Sequence, residues 1–83
     1  MVYLGWVAQK IDQPIKVLFT DSPKKVLFAG REHLIEKVGY HHVYREGRTL
    51  FHVFSVASKT LFFRLVLNTD NLNWRLEEIE NEL

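Results

Sequence analysis

The sequence predicts an all-β domain: an antiparallel meander of six to seven strands curled into a small barrel or sandwich. Two observations carry this. The stretch from Leu50 to Leu67 reads as a β-hairpin built from β-branched, aliphatic and aromatic residues. The rest of the chain divides into short runs of similar composition separated by turn residues, at Asp21-Ser22-Pro23, Gly30, Gly47 and Asn68 to Asn71. A third observation bears on architecture. A two-residue loop at Ser58-Lys59 sets Val56 opposite Leu61, Phe54 opposite Phe63, His52 opposite Leu65 and Leu50 opposite Leu67. Opposed residues share a face. One face then carries Leu50, His52, Phe54, Val56, Leu61, Phe63, Leu65 and Leu67, and the other Phe51, Val53, Ser55, Phe62, Arg64 and Val66. An antiparallel sheet commonly keeps one polar side. This hairpin keeps none, so both sides call for a cover.

The elements follow in order. Val2 to Val7 is a short apolar run, either a first strand or an ordered arm. Ile15, Val17 and Phe19 alternate with Lys16, Leu18 and Thr20 as a strand, with Pro14 at its start, where a missing donor does least harm. Thr20 to Pro23 is a turn, Val26 to Ala29 the next strand, and Gly30-Arg31 a second turn. Residues 33–44 admit two readings. Leu34, Ile35 and Val38 before Gly39 fit two turns of helix with a glycine cap. Leu34, Glu36, Val38 and Tyr40 also alternate as a bent strand with a bulge at Gly39, which the flanking β segments favour. Arg45 to Arg48 turns the chain into the hairpin, and Trp74 to Ile79 closes it. Pairing Leu67 with Trp74 sets Leu65 against Leu76, Arg64 against Glu77 and Phe62 against Ile79.

At 83 residues the chain is expected to form a single domain, 1–83, with a marginal core. It has no cysteine, so no disulfide or thiolate metal site staples it, and small unstapled domains often gain stability by associating. A hydrophobic fraction of 47% argues against disorder. No apolar run approaches the ~18 residues of a membrane span, and the start lacks a basic leader. The expectation is a cytoplasmic protein with no membrane partner. The net charge is +1, but residues 1–76 hold all eleven Lys and Arg against six acids, a net of +5, while Glu77, Glu78, Glu80 and Glu82 crowd the end.

Little points to catalysis. His41 and His42 are adjacent and point to opposite faces of a strand. His52 falls on the core face, where a neutral, hydrogen-bonded ring is expected. No nucleophile stands beside a base at a recognised spacing, and the carboxylates cluster at the C-terminus. The expectation is therefore a non-enzymatic protein with no metal and no cofactor. Basic residues flank the turns at Lys24, Lys25, Arg31, Arg45 and Arg48, near Phe28, Tyr40 and Tyr44. Basic loops with aromatics suit a single strand of nucleic acid. The second hairpin face, with Phe51, Val53, Phe62, Val66 and Ile79, is instead the candidate interface of a homodimer, because a wet apolar patch of that size is a liability.

The order of landmarks resembles a known family. Pro14-Ile15-x-Val17, then Pro23, then Val26-x-Phe28-x-Gly30-Arg31, an aromatic-rich strand ending near Phe63-Arg64 and a closing Trp74-x-Leu76 are similar to an uncharacterised family of small β-domains. That family occurs alone or as the C-terminal segment of bacterial Y-family-polymerase-like accessory proteins of mutagenic repair. The resemblance spans residues 13–80, and the spacer Tyr40-His41-His42-Val43-Tyr44 stands where the family is richer in tryptophan. It implies a nucleic-acid-metabolism context, with single-stranded nucleic acid or a DNA-repair protein as partner, and supplies no catalytic residue. The expected function is a small binding module, nucleic-acid-associated or, alternatively, a protein-interaction or homodimerisation module with no nucleic-acid role.

Overall fold

The structure, a computed structural model, describes residues 6–82. They form eight strands and no helix: β1 (Trp6–Pro14), β2 (Lys16–Phe19), β3 (Pro23–Phe28), β4 (Arg31–Leu34), β5 (Lys37–Glu46), β6 (Thr49–Ala57), β7 (Leu61–Asn68) and β8 (Asn73–Glu82). A five-stranded antiparallel sheet runs β1-β8-β7-β6-β5, and a three-stranded one runs β2-β3-β4. The all-β antiparallel class is as expected, but the chain is not one continuous meander, since β1 pairs with β8 and β2 to β4 form a sheet of their own. The barrel is not borne out: the sheets stay separate and pack as a sandwich, and there are eight strands rather than six or seven.

The added strand comes from residues 33–44, which are neither helix nor one strand. The small sheet ends at Leu34 and the large one takes up the chain at Lys37. Between them the Ile35 N–H donates to the Lys24 carbonyl (2.9 Å) and the Glu36 N–H to the Ala57 carbonyl (2.8 Å). Each link residue thus bonds a different sheet, which satisfies the backbone while the chain crosses over. Gly39 marks the expected bulge, between Val38↔Val56 and Tyr40↔Ser55. Of the run Val2 to Val7, residues 1–5 lie outside the described residues, and β1 begins at Trp6.

Local chemistry sets the turns. Ala29 and Gly30 both have positive φ (54° and 75°), the conformation of a two-residue hairpin turn whose twist matches its strands. Gly47 (φ 62°) opens the β5–β6 turn. In the β7–β8 turn, the Asn68 and Asn71 side chains accept from the N–H groups of Asp70 (2.8 Å) and Asn73 (2.9 Å).

Two registers correct the sequence reading. The β6–β7 loop is longer than Ser58-Lys59: Ala57 pairs with Phe62, Val56 with Phe63 and Phe54 with Leu65. Ser58 closes it, its N–H donating to the Leu61 carbonyl (2.8 Å) while its hydroxyl accepts from the Leu61 N–H (3.2 Å). The slip is two residues, an even number, so each hairpin residue keeps its expected face. The β7–β8 pairing begins as expected, with Leu67↔Trp74 and Leu65↔Leu76, and then bulges at Glu77, so that Ile79 pairs with Phe63 rather than Phe62. That odd shift turns Ile79 into the core.

The core lies between the sheets. Val26 of the small sheet packs against Phe54, Val56, Phe63, Leu65, Leu76 and Ile79 of the large one, with Ile11, Ile15, Val17, Phe28, Ile35, Leu61 and Trp74 around them. Each fully buried aliphatic or aromatic side chain contributes about 1.5–3 kcal/mol of transfer free energy. No described helix is long and apolar enough to cross a membrane.

Candidate binding surface

The three-stranded sheet covers one face of the large sheet, and the opposite face is here called the outer face. Strand alternation assigns its members. Val53 pairs with His42 and Val66, Ser55 with Tyr40 and Arg64, and Phe51 with Tyr44. Arg75 lies beside Val66 and Glu80 beside Phe62. Of the five residues expected on this face, Phe51, Val53, Phe62 and Val66 lie there. Ile79 does not: it is 8% exposed in the core.

The outer face is drier than an uncovered sheet face should be. Val53 is 3% and Val66 7% exposed, yet neither belongs to the core cluster. Rings line the same face. Tyr40 lies 5.2 Å from His42, His42 6.4 Å from Tyr44, and Tyr44 stacks at 5.0 Å on Phe51, centroid to centroid. Alternate residues of β5 thus form an aromatic row that continues onto β6. The Nδ1 of His42 is buried in this row without a hydrogen-bond partner. Two hollows flank the valines. One, of about 380 Å³, opens between Lys37 and Tyr40 on one side and Glu78 and Glu80 on the other, over Phe62. The second, of about 360 Å³, lies by Phe51, Val66 and Arg75.

Charge on this face is mixed. Arg64 pairs with Glu77 at 3.6 Å, as the sequence suggested. The Arg75 Nε donates to the Asp12 carboxylate at 2.6 Å and its terminal N–H to the Asp12 carbonyl at 3.0 Å. Partial burial, and then the Glu77 and Glu46 carboxylates, push the Tyr44 hydroxyl above its ordinary range. Lys37, Arg64 and Arg75 face Glu46, Glu77, Glu78 and Glu80, so the surface favours neither sign.

The basic residues singled out for nucleic acid are divided between the two sheets. Lys24 and Lys25 lie on β3, held by Asp21 (3.1 Å) and Glu32 (3.4 Å). Lys24, with help from the Thr20 hydroxyl, lowers the exposed Asp21 carboxyl. Arg31 sits at the β3–β4 turn, beside Phe28, whose ring meets Phe63. Arg45 and Arg48 stand at the β5–β6 turn of the other sheet. Residues alike in their turn setting thus divide between the two sheets.

The inner face has its own polar feature. His41 stacks on Phe54 at 4.2 Å and 2°, and its Nε2 meets the Nδ1 of His52 at 2.8 Å. The two imidazoles lie nearly coplanar, centroids 5.1 Å apart, so they meet end to end as donor and acceptor. Such a bond holds one proton between two rings. No group of three or more potential metal ligands converges among the described residues. The sequence reading missed the row Tyr40, His42 and Tyr44 as part of the second hairpin face. The signal was available: alternate spacing on a strand paired to Phe51, Val53 and Ser55. Comparison with protein-family models, curated proteins and solved structures finds no match to this chain.

Proposed function

We propose that the protein is a non-enzymatic binding module whose working surface is the outer face of the five-stranded sheet, and that its partner is a protein. The observation that supports this reading best is the ring row Tyr40–His42–Tyr44–Phe51 beside two nearly dry valines on a face with no second layer among the described residues. Aromatic anchors around a small dry centre with a charged rim are the anatomy of protein interfaces. The mixed charge argues for the same partner class, because a phosphate backbone is held by clustered cations.

A displayed library of random peptides tests the surface. Captured peptides should bind Phe62→Lys at least roughly tenfold more weakly, and should bind Leu27→Lys, on the small sheet, as they bind the unaltered protein. Failure to capture any peptide, or capture indifferent to Phe62, overturns the reading. A parallel titration with a labelled single-stranded oligonucleotide at two salt concentrations tests the partner class. Salt-sensitive binding that falls when Lys24, Lys25, Arg31, Arg45 and Arg48 are neutralised would replace protein by nucleic acid.

A further inference from the structure

We infer that β5 pairs with β5 of a second copy, antiparallel across a two-fold axis at His42, joining two five-stranded sheets into one of ten strands. The inference begins at an edge. Among the described residues β5 is hydrogen-bonded to β6 alone. It contains no proline, and from Tyr40 to Glu46 its register against β6 is unbroken. A regular edge of this kind offers its outward N–H and C=O groups to another strand.

Side-chain exposure points to an added strand rather than a partner laid on a face. Tyr40 (57% exposed) and Tyr44 (38%) belong to the outer face, while Val43 (50%) and Val38 (38%) belong to the inner one. A layer stacked on either face covers one pair and leaves the other wet. A strand added at the edge brings cross-strand neighbours to both faces at once.

The pattern of β5 argues that this strand is its own copy. Along the outer face it reads Lys37, Tyr40, His42, Tyr44 and Glu46, the Gly39 bulge keeping Lys37 in line with the rest. Reversed, the series complements itself. The two-fold sets His42 against His42, Tyr40 against Tyr44, and, across the bulge, Lys37 against Glu46 at both ends. On the inner face it sets His41 against Val43. Two-fold interfaces are self-complementary in this way. The aromatic rows of the two copies then meet in one continuous band.

The test is the mass of the full chain by light scattering and sedimentation across the micromolar range. The expected result is a dimer. Lys37→Glu places like charges at both ends of the pair, as does Glu46→Lys, and each should weaken association by roughly tenfold or more. An equimolar mixture of the two variants restores opposite charges at both ends and should recover the dimer. Circular dichroism checks that each variant keeps its strands. Tyr40→Lys, at an exposed site, serves as a second disruptor. A monomer at every concentration overturns the inference and leaves the outer-face reading standing, since that is read from peptide capture. A dimer indifferent to both charge reversals overturns it too, and one dissolved by Phe62→Lys would move the interface to the outer face.

Discussion

The two faces of the five-stranded sheet share a hairpin and differ in what lies over them. On the inner face, Phe54, Val56, Phe63 and Leu65 meet Val26 and its neighbours in the small sheet. On the outer face, Val53 and Val66 are nearly as dry, yet their cross-strand neighbours belong to their own sheet: His42 beside Val53 and Arg75 beside Val66. Both faces are largely apolar in sequence, although the outer one also carries Ser55 and Arg64. An apolar alternation therefore indicates that a face is drier than water would leave it. It does not indicate whether a second layer or neighbours in the same sheet do the drying.

Four measurements would break or sharpen this contrast. The largest effect belongs to the inner face. Phe63→Ala should cost about 3–5 kcal/mol in a denaturant titration, enough to unfold a domain of this size, because the small sheet cannot close over the void. A cost under half of that would mean the two sheets grip loosely. Next is the imidazole pair. A double-mutant cycle on His41→Ala and His52→Ala should give a coupling of roughly 0.5–1.5 kcal/mol, and no coupling would mean that the 2.8 Å contact contributes nothing beyond stacking. On the outer face, Phe62→Lys should change stability by under about 1 kcal/mol. A loss comparable to that of Phe63→Ala would make the outer face a second core.

The smallest effect is a pH dependence at Tyr44. Its hydroxyl is held above the ordinary tyrosine range, first by partial burial and then by Glu77 and Glu46. The fold thus favours the neutral phenol. That contribution is complete below the ordinary tyrosine range and declines as pH rises through the raised folded value. Tyr44→Phe should flatten part of the alkaline loss of stability. An identical alkaline limb in the variant would show that the row does not sense this ionisation.

Much of the fold was legible because it depends on parity. Alternation survives a two-residue slip, so the longer loop between Ala57 and Leu61 left every hairpin face correctly assigned. Ile79 was misplaced because a bulge changes parity by one, and nothing in Glu77-Glu78 distinguishes a bulged glutamate from a regular one. The crossing at Ile35-Glu36 was hidden for a similar reason: a strand that changes sheet keeps strand-like composition throughout. The placement of the basic residues was not legible for a different reason. Turns join strands at both ends of a sandwich, so residues that share a turn-like setting in sequence need not share a surface.

The bulge in β1 has a consequence for how far assembly can proceed. Between Lys10 and Gln13 the ladder to β8 is interrupted, and Asp12 turns to φ 40° under the hold of Arg75. Among the described residues the two borders of the large sheet both carry a bulge, β5 at Gly39 and β1 between Lys10 and Gln13, but β5 keeps the longer unbroken run, Tyr40 to Glu46. Growth by strand addition needs two compatible ends on every unit, as a polymer needs a bifunctional monomer. On the inferred pairing, β5 would be the joining border and the bulge would disfavour β1 as a second one. If β5 joins β5 of a second copy, that border is consumed and association would stop at a closed pair. Straightening β1 by removing the Asp12–Arg75 clamp would convert a chain terminator into a propagating end.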